Sequence, residues 1–573
     1  MFAQLKKITF VFLLFCTVEK LSAQPYQIPG FPIVIDSLNF AASQPSIADL
    51  DEDGKQDIVV SKNSPPFLIF AYNINGEVLE GWPQPVDQGT FALASGDIDG
   101  DGHIEVIART LYSVFAFRGN GELMSGFPVA FATQWDNNGI RTMVLYDFHH
   151  NNTLDIITAS FNKVLVYDHT GAMHTGFPKI LPGRYAKFPS IADINLDGEP
   201  EIVINSTKSQ IFPNPDSGWL NVLTKNGEDV PGWPVFFDSN ALAGNSPTLC
   251  NVNGDDSLEI ISPSAYRITP EIYVGRMHIF SPSGILLKKW HDPVDDNFLQ
   301  FDETSIMKNI QSHNIIYAVS DWDGYNFLFD ENGEMLPGWP LELVATRQPK
   351  LVDIDNDTIP EIFLGRNSSP NDTGAMYCVN IYGQHLPWSP FKIYGNTGVK
   401  EPLFSDLDKD GSMEMVTIGA ILDAFDGYAL NVFRFPGARF TTEGSPWPQK
   451  AHDSHNTYQY GYVPSDNVVG IAVAVSSVPE QFSLKQNYPN PFNPQTAIGF
   501  SLLAVGNVTL KVYDVLGREV QTLLNNERME AGRHVAYFNV EMFHGTSLPS
   551  GVYFYRLNVD GKFSETKKLV LTK

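Results

Sequence analysis

The sequence predicts an all-β chain: a β-propeller of eight blades, or seven, followed by a small Ig-like β-sandwich. Three observations carry this. A unit of about fifty residues recurs along most of the chain, the length of a propeller blade. Glycine and proline number 45 and 39, and aromatics reach 12%, a mixture suited to short strands and tight turns. After Pro464 the repeat stops, and alternating strands with regular turns take over.

The N-terminus reads as an export signal over residues 1–23. Lys6 and Lys7 precede an apolar stretch from Ile8 to Val18, and Leu21-Ser22-Ala23 offers a cut before Gln24. The stretch is too short for a permanent membrane anchor, and no second one follows. Cys16, inside it after Phe15, is poorly placed for lipid attachment, so a soluble mature chain is expected. Cys250 and Cys378 read as buried thiols, with a disulfide between them left open. With 38 basic against 65 acidic residues the formal charge is −27. That argues against nucleic acid or an anionic membrane as partner and predicts bound divalent cations.

The propeller is expected over 24–464. Its first unit holds the acidic loop Asp49–Asp57, the strands Ile58-Val59-Val60 and Leu68-Ile69-Phe70, the turn Asn75-Gly76 and the tripeptide Gly81-Trp82-Pro83. Later loops begin at Asp97, Asp147, Asp193, Asn251, Asp353 and Asp406. A copy without the loop fits between 291 and 337. Gly30-Phe31-Pro32 opens the series and Pro446-Trp447-Pro448 closes it. The Asn-Gly pairs predict type I′ hairpin turns. Prolines 45, 189, 247, 349 and 402 lie four residues before a loop, where a proline is expected to start the strand without wasting a ladder donor. The tripeptide aromatics are expected to pack between blades rather than to stack on sugars.

The loops follow Asp-x-[Asp/Asn]-x-Asp-Gly-x-x-[Asp/Glu]. Oxygens at alternate positions of a tight loop suit calcium, which takes six to eight of them. Positions 1, 3, 5 and 9 supply side chains and position 7 a backbone carbonyl. An EF-hand closes at position 12 between helices; here position 9 runs straight into a strand. Five loops form the candidate sites: Asp49/Asp51/Asp53/Asp57, Asp97/Asp99/Asp101/Glu105, Asp193/Asn195/Asp197/Glu201, Asp353/Asp355/Asp357/Glu361 and Asp406/Asp408/Asp410/Glu414. Lys55, His103, Glu199, Ile359 and Ser412 hold position 7, the variety a backbone ligand allows. The loops Asp147/His149/Asn151/Asp155 and Asn251/Asn253/Asp255/Glu259 are eroded. The expected cofactor is calcium, several ions per chain, in a structural role.

These loops resemble those of the FG-GAP/VCBS repeat family, whose calcium-loop blades also form the head of integrin α subunits. The resemblance covers roughly 30–450 and implies an extracellular propeller that serves as a platform for adhesion or for carbohydrate and protein contact. The Phe-Gly and Gly-Ala-Pro signatures of integrin-type blades are weak or missing.

Residues 465–481 read as a linker, and 482–573 as the sandwich. There Tyr488-Pro489-Asn490-Pro491-Phe492-Asn493-Pro494, the Tyr513-Asp514-Val515-Leu516-Gly517 turn, the strand Ser550-Gly551-Val552-Tyr553-Phe554 and the ending Lys567-Lys568-Leu569-Val570-Leu571 resemble the type A sorting domain of the type IX secretion system. The resemblance implies passage through that machinery, with release or surface attachment afterwards.

No Gly-x-Ser-x-Gly elbow, His-Glu-x-x-His helix or phosphate loop is present. Ala451-His452-Asp453-Ser454-His455 is expected to latch the end of the propeller. The favoured reading is a non-enzymatic surface or secreted protein that binds glycan or protein. The alternative is a calcium-dependent extracellular polysaccharide lyase or other glycan-degrading enzyme.

Overall fold

The computed structural model describes residues 24–35, 43–130, 142–208, 217–238 and, with short interruptions, 241–291, 304–459 and 483–572. The expected signal segment 1–23 and the linker 465–481 lie outside the described residues. The chain divides into two compact units, Met1–Asn467 and Val468–Lys573. Among the described residues, no helix is long and apolar enough to cross a membrane.

Among the described residues, the first unit is a ring of eight antiparallel sheets that succeed one another in sequence, the last also taking in the two N-terminal strands. The first blade pairs Ser46–Ala48, Asp57–Lys62, Leu68–Tyr72 and Gln84–Pro85 in that order. The first strands of neighbouring blades lie against one another and so line the axis. Side chains stitch them together: Ser46 to Ser95, Ser190 to the Pro247 carbonyl, Ser305 to the Pro349 carbonyl. A four-stranded sheet buries neither face alone, and the apolar clusters accordingly sit between sheets. Val59 and Ile69 of the first blade pack with Leu93 and Val106 of the second. Ile98 and Ile107 of the second pack with Leu145 and Ile156 of the third.

Gly30-Phe31-Pro32 opens the series of tripeptides in chain order, and the strand that follows it shows which blade it serves. Ile33–Ile35 pairs with Gly427–Arg439, so the tripeptide belongs to the eighth blade, and the ring closes by joining its two ends in one sheet. Of the proposed closing tripeptide, Pro446 and Trp447 lie outside the described residues. The sixth blade, which lacks the acidic loop, spans Thr304–Glu342. The Asn-Gly turns are not type I′. Only the glycine of Asn75-Gly76 has positive φ, at 81°, and Gly76 N–H donates to the Asn73 carbonyl at 2.9 Å. A turn closed by a left-handed glycine leaves room for a longer hairpin loop than the two-residue type I′ form. Cys250 and Cys378 are buried thiols in different blades, with no disulfide.

The tripeptides join blade to blade. Trp82, Trp233 and Trp339 are buried, and each indole N–H donates at 2.8 Å to a carbonyl of the following blade: Gly119, Pro282 and Ile381. An aromatic buried in this way has no face left for a sugar. The tripeptide glycine presses on the next blade's turn. A Cβ on Gly126, at φ 92°, would lie 2.0 Å from the Thr170 carbonyl oxygen. Backbone cannot yield as a side-chain tip can. Gly126→Ala is therefore expected to destabilise the ring by more than about 1 kcal/mol, read as a lower denaturation midpoint; an unchanged midpoint would refute the tight contact.

The second unit is a sandwich. One sheet holds Ser483–Leu484, Gln495–Leu502 and Gly532–Asn539; the other orders Glu519–Met529, Gly506–Tyr513, Gly551–Val559 and Phe563–Leu571. Ile498, Phe500 and Phe538 of one face Leu510, Tyr555 and Leu569 of the other. Phe492 is buried and its backbone pairs with the last strand: its N–H donates to Val570 and its carbonyl accepts from Thr572. Asn490 Oδ1 accepts from Val570 N–H at 2.8 Å. Much of the Tyr488–Pro494 motif lies outside the described residues, but these two members clamp the C-terminal strand.

Candidate metal centres

Each acidic loop follows the first strand of its blade, so all lie at one end of the ring. Their construction repeats. The position-2 side chain enters the core, as Leu50, Ile98, Ile194, Ile354 and Leu407 do. Its backbone N–H donates to the closing acid, at 2.9 Å for Asp57, 3.0 Å for Glu105, 3.1 Å for Glu201, and 2.9 Å for Glu361 and Glu414. The first aspartate accepts from the position-6 amide, as Asp49 does from Gly54 at 3.0 Å and Asp406 from Gly411 at 2.9 Å. Position 5 accepts from the position-7 N–H, as Asp53 does from Lys55 and Asp101 from His103. Gly54 has φ 85° with open space around its Cβ direction, so conformation, not crowding, calls for glycine. Position 4 is left-handed too, in Glu52, Leu196, Asn356 and Lys409. Only the second loop marks this position with a glycine, Gly100 at φ 75°, so in the other four nothing in the sequence signals it.

Carboxylate oxygens converge within 4.8 Å in four of the five loops: Asp49/Asp51/Asp53, Asp97/Asp99/Glu105, Asp353/Asp355/Asp357 and Asp406/Asp408/Glu414. In the Asp193 loop, Asn195 Nδ2 donates to Glu201 Oε1 at 3.2 Å, and the Asn195 Oδ1 accepts from Asp197 N–H. The eroded Asn251 loop has the same device: Asn253 Nδ2 donates to Glu259 Oε1 at 3.0 Å.

The closing acids are buried. Burial, and then the other carboxylates of each loop, push Asp57 up to about 7, Glu105 to about 8, Glu201 to about 7 and Glu361 to about 9. Glu414 is pushed to about 7 by burial, against the pull of Arg434. Asp49 Oδ1, Asp406 Oδ1 and Asp408 Oδ1 are buried without a hydrogen-bond partner. Buried, unpaired carboxylate oxygens that crowd one another fit a hard cation.

Two arginines escaped the sequence reading. Arg118 reaches Asp99 at 3.1 Å, Asp101 at 3.0 Å and Glu105 at 3.4 Å. Arg434 pairs with Asp408, with Asp410 at 3.1 Å and with Glu414 at 2.6 Å. Each stands directly across the strand pair from the closing acid. The corresponding partner of Glu201 is Thr224. The second and eighth loops thus bring their own positive charge, and the first, fourth and seventh are without such an arginine among these contacts.

The loops also hold neighbouring blades. Gln56 N–H donates to the Leu407 carbonyl, Leu154 to Ile98 and Leu258 to Ile194, each from one loop to the preceding one. Asn356 Nδ2 donates to Gly437 of the eighth blade, and its Oδ1 accepts from Arg439 N–H.

The described residues among 448–459 lie against the innermost strands. Phe404 N–H donates to Pro448, Leu145 to His455 and Ile191 to Thr457, while Leu249 bridges to Gln459. His455 and Thr457 are fully buried, and Asp453 accepts from the N–H groups of both. The His452–His455 cluster latches the chain end onto the ring.

A known family model matches part of each unit. Residues 41–108 match the FG-GAP-like repeat, and residues 486–572 match the secretion system C-terminal sorting domain. Among solved structures, the biofilm matrix protein Bap1 of V. cholerae is 14% identical, with 74% of this chain and 93% of that one covered at a TM-score of 0.41. BamB from Moraxella catarrhalis is 13% identical over 72% of this chain and all of its own, at 0.39. BBS1N in complex with ARL6DN is 9% identical over 72% and 98%, at 0.38. At such scores the strand pairing above, not the likeness, defines the propeller. No curated protein matches the chain. The type IX sorting domain marks the protein as secreted or surface-displayed, with the secretion machinery as a partner.

Proposed function

We propose that the protein is a calcium-stabilised extracellular propeller that binds a glycan or protein ligand without transforming it. The observation that carries the calcium reading is the set of buried, unpartnered oxygens on Asp49, Asp406 and Asp408, each beside other carboxylates of its loop. Asp49, Asp51, Asp53 and Asp57 would hold one ion with the Lys55 carbonyl. The corresponding sets start at Asp97 (with His103), Asp193 (Glu199), Asp353 (Ile359) and Asp406 (Ser412). When bound, calcium supplies positive charge and a fixed coordination shell. The chain's own part is to hold the loops in a shape that orders one blade against the next, through bonds such as Gln56 to Leu407.

The binding role is supported by the match of residues 41–108 to the FG-GAP-like repeat and by the C-terminal sorting domain, which together give a secreted propeller. The test is a glycan and protein binding screen with the mature chain, paired with a polysaccharide-cleavage assay, with and without calcium. Calcium-dependent retention of one ligand class with no new chain ends is expected. Release of unsaturated or reducing ends would overturn the non-enzymatic reading.

A further inference from the structure

The third blade departs from the others at two positions that face each other. Position 3 of its loop is His149, where the five candidate calcium loops carry aspartate or asparagine. The second departure is His174. Its N–H donates to the Val166 carbonyl at 2.9 Å, the bond that Leu79, Met124, Val230, Leu336 and Leu386 make in their own blades. Every one of those residues is apolar; among these six blades the third alone puts an imidazole there.

The two rings meet. His149 Nε2 lies 3.4 Å from His174 Nδ1, with ring centroids 5.0 Å apart. The ligand atoms of His149, His174 and Asp155 all fall within 4.8 Å of one another. A nitrogen pair at this spacing makes a poor hydrogen bond. It is about the distance between two nitrogens on one tetrahedral ion with bonds of ~2.1 Å. His174 Nε2 lies 2.7 Å from Asp155 Oδ1, and Asp155 is buried and tied by its other oxygen to Phe148 N–H at 3.3 Å. A carboxylate bound to one imidazole nitrogen places the proton there and aims the lone pair of the other outward. Here that lone pair, on Nδ1, faces His149. Packing alone would be served as well by the leucine of other blades.

We propose that the third blade holds a borderline transition-metal ion of the zinc class, ligated by His149 Nε2 and His174 Nδ1 and oriented by Asp155. Imidazole favours zinc, copper and nickel, whereas calcium takes oxygen, so the loop scaffold keeps its position in the ring and changes its ion. His149 is exposed, which leaves an approach from solvent.

The test is calorimetric titration of the mature, untagged protein with zinc in excess calcium. Wild type should take up one zinc that calcium does not displace, and His174→Leu and His149→Asp should each weaken that uptake at least tenfold. Leucine at 174 matches the first, sixth and seventh blades, and 149 is an exposed loop position, so at least one variant keeps the fold; circular dichroism verifies it. Cobalt substituted for zinc should show a visible ligand-field band in wild type and lose it in the folded variant. Zinc uptake that is absent, or the same in wild type and folded variant, overturns the site.

Discussion

In metal-stripped buffer the propeller should melt on the order of 10 °C lower than in saturating calcium, and the gap should widen from pH 5 to pH 8. The first part follows from linkage. An ion at a hundredfold excess over its dissociation constant adds about 2.7 kcal/mol per site, and ordinary domains rest on only about 5–15 kcal/mol in all. The pH dependence has its own sign. Without metal, the folded state holds Asp57, Glu201 and Glu414 near 7, Glu105 near 8 and Glu361 near 9. Unfolded, such groups titrate near about 4. Between those values the folded chain binds more protons, so its stability is greatest at low pH and falls as pH rises toward 7 to 9. Calcium binds the ionised loops and removes that loss. Thermal melts in both buffers across the range check this. A metal-free melt that rises with pH, or one indifferent to calcium, would sink the metal reading.

The second large effect concerns export. Phe492→Ala should cost the C-terminal unit about 3–5 kcal/mol, since it deletes a buried ring. It also loosens the residue whose backbone brackets the last strand through Val570 and Thr572. A sandwich of this size has little more stability than that to lose. The variant should accumulate inside the cell envelope while wild type reaches the medium or surface, as read by fractionation and immunoblot. Substitution of exposed Leu516, at the tip of the Asp514–Gly517 turn, leaves the core intact and controls for general damage. Normal export of Phe492→Ala would show that the machinery does not need the clamped strand.

Much of the acidic-loop construction was legible because it is local. Asp49 and Asp57 are separated by one tight loop, and so are Asp406 and Glu414; ligand spacing, the glycine at position 6 and the strand that follows all lie on one short stretch. The sorting motif is local in the same sense. What sequence could not supply are the neighbours set by register. Arg118 meets Glu105 only because their strands pair in one alignment, and His174 reaches Asp155 only once its hairpin has folded back.

By itself, then, the sequence determined the blade unit, its oxygen-rich loops and the address at the C-terminus, since chain connectivity alone fixes which residues share a turn. The tertiary structure decided how the ring closes, with Tyr26 beside Arg434, and that Pro448, His455 and Thr457 accept hydrogen bonds from the innermost strands. It also decided which loops carry an arginine and which blade pairs two histidines. Those are contacts across strands and between chain ends, where the partner is chosen by sheet register and ring geometry, and no spacing along the chain encodes them.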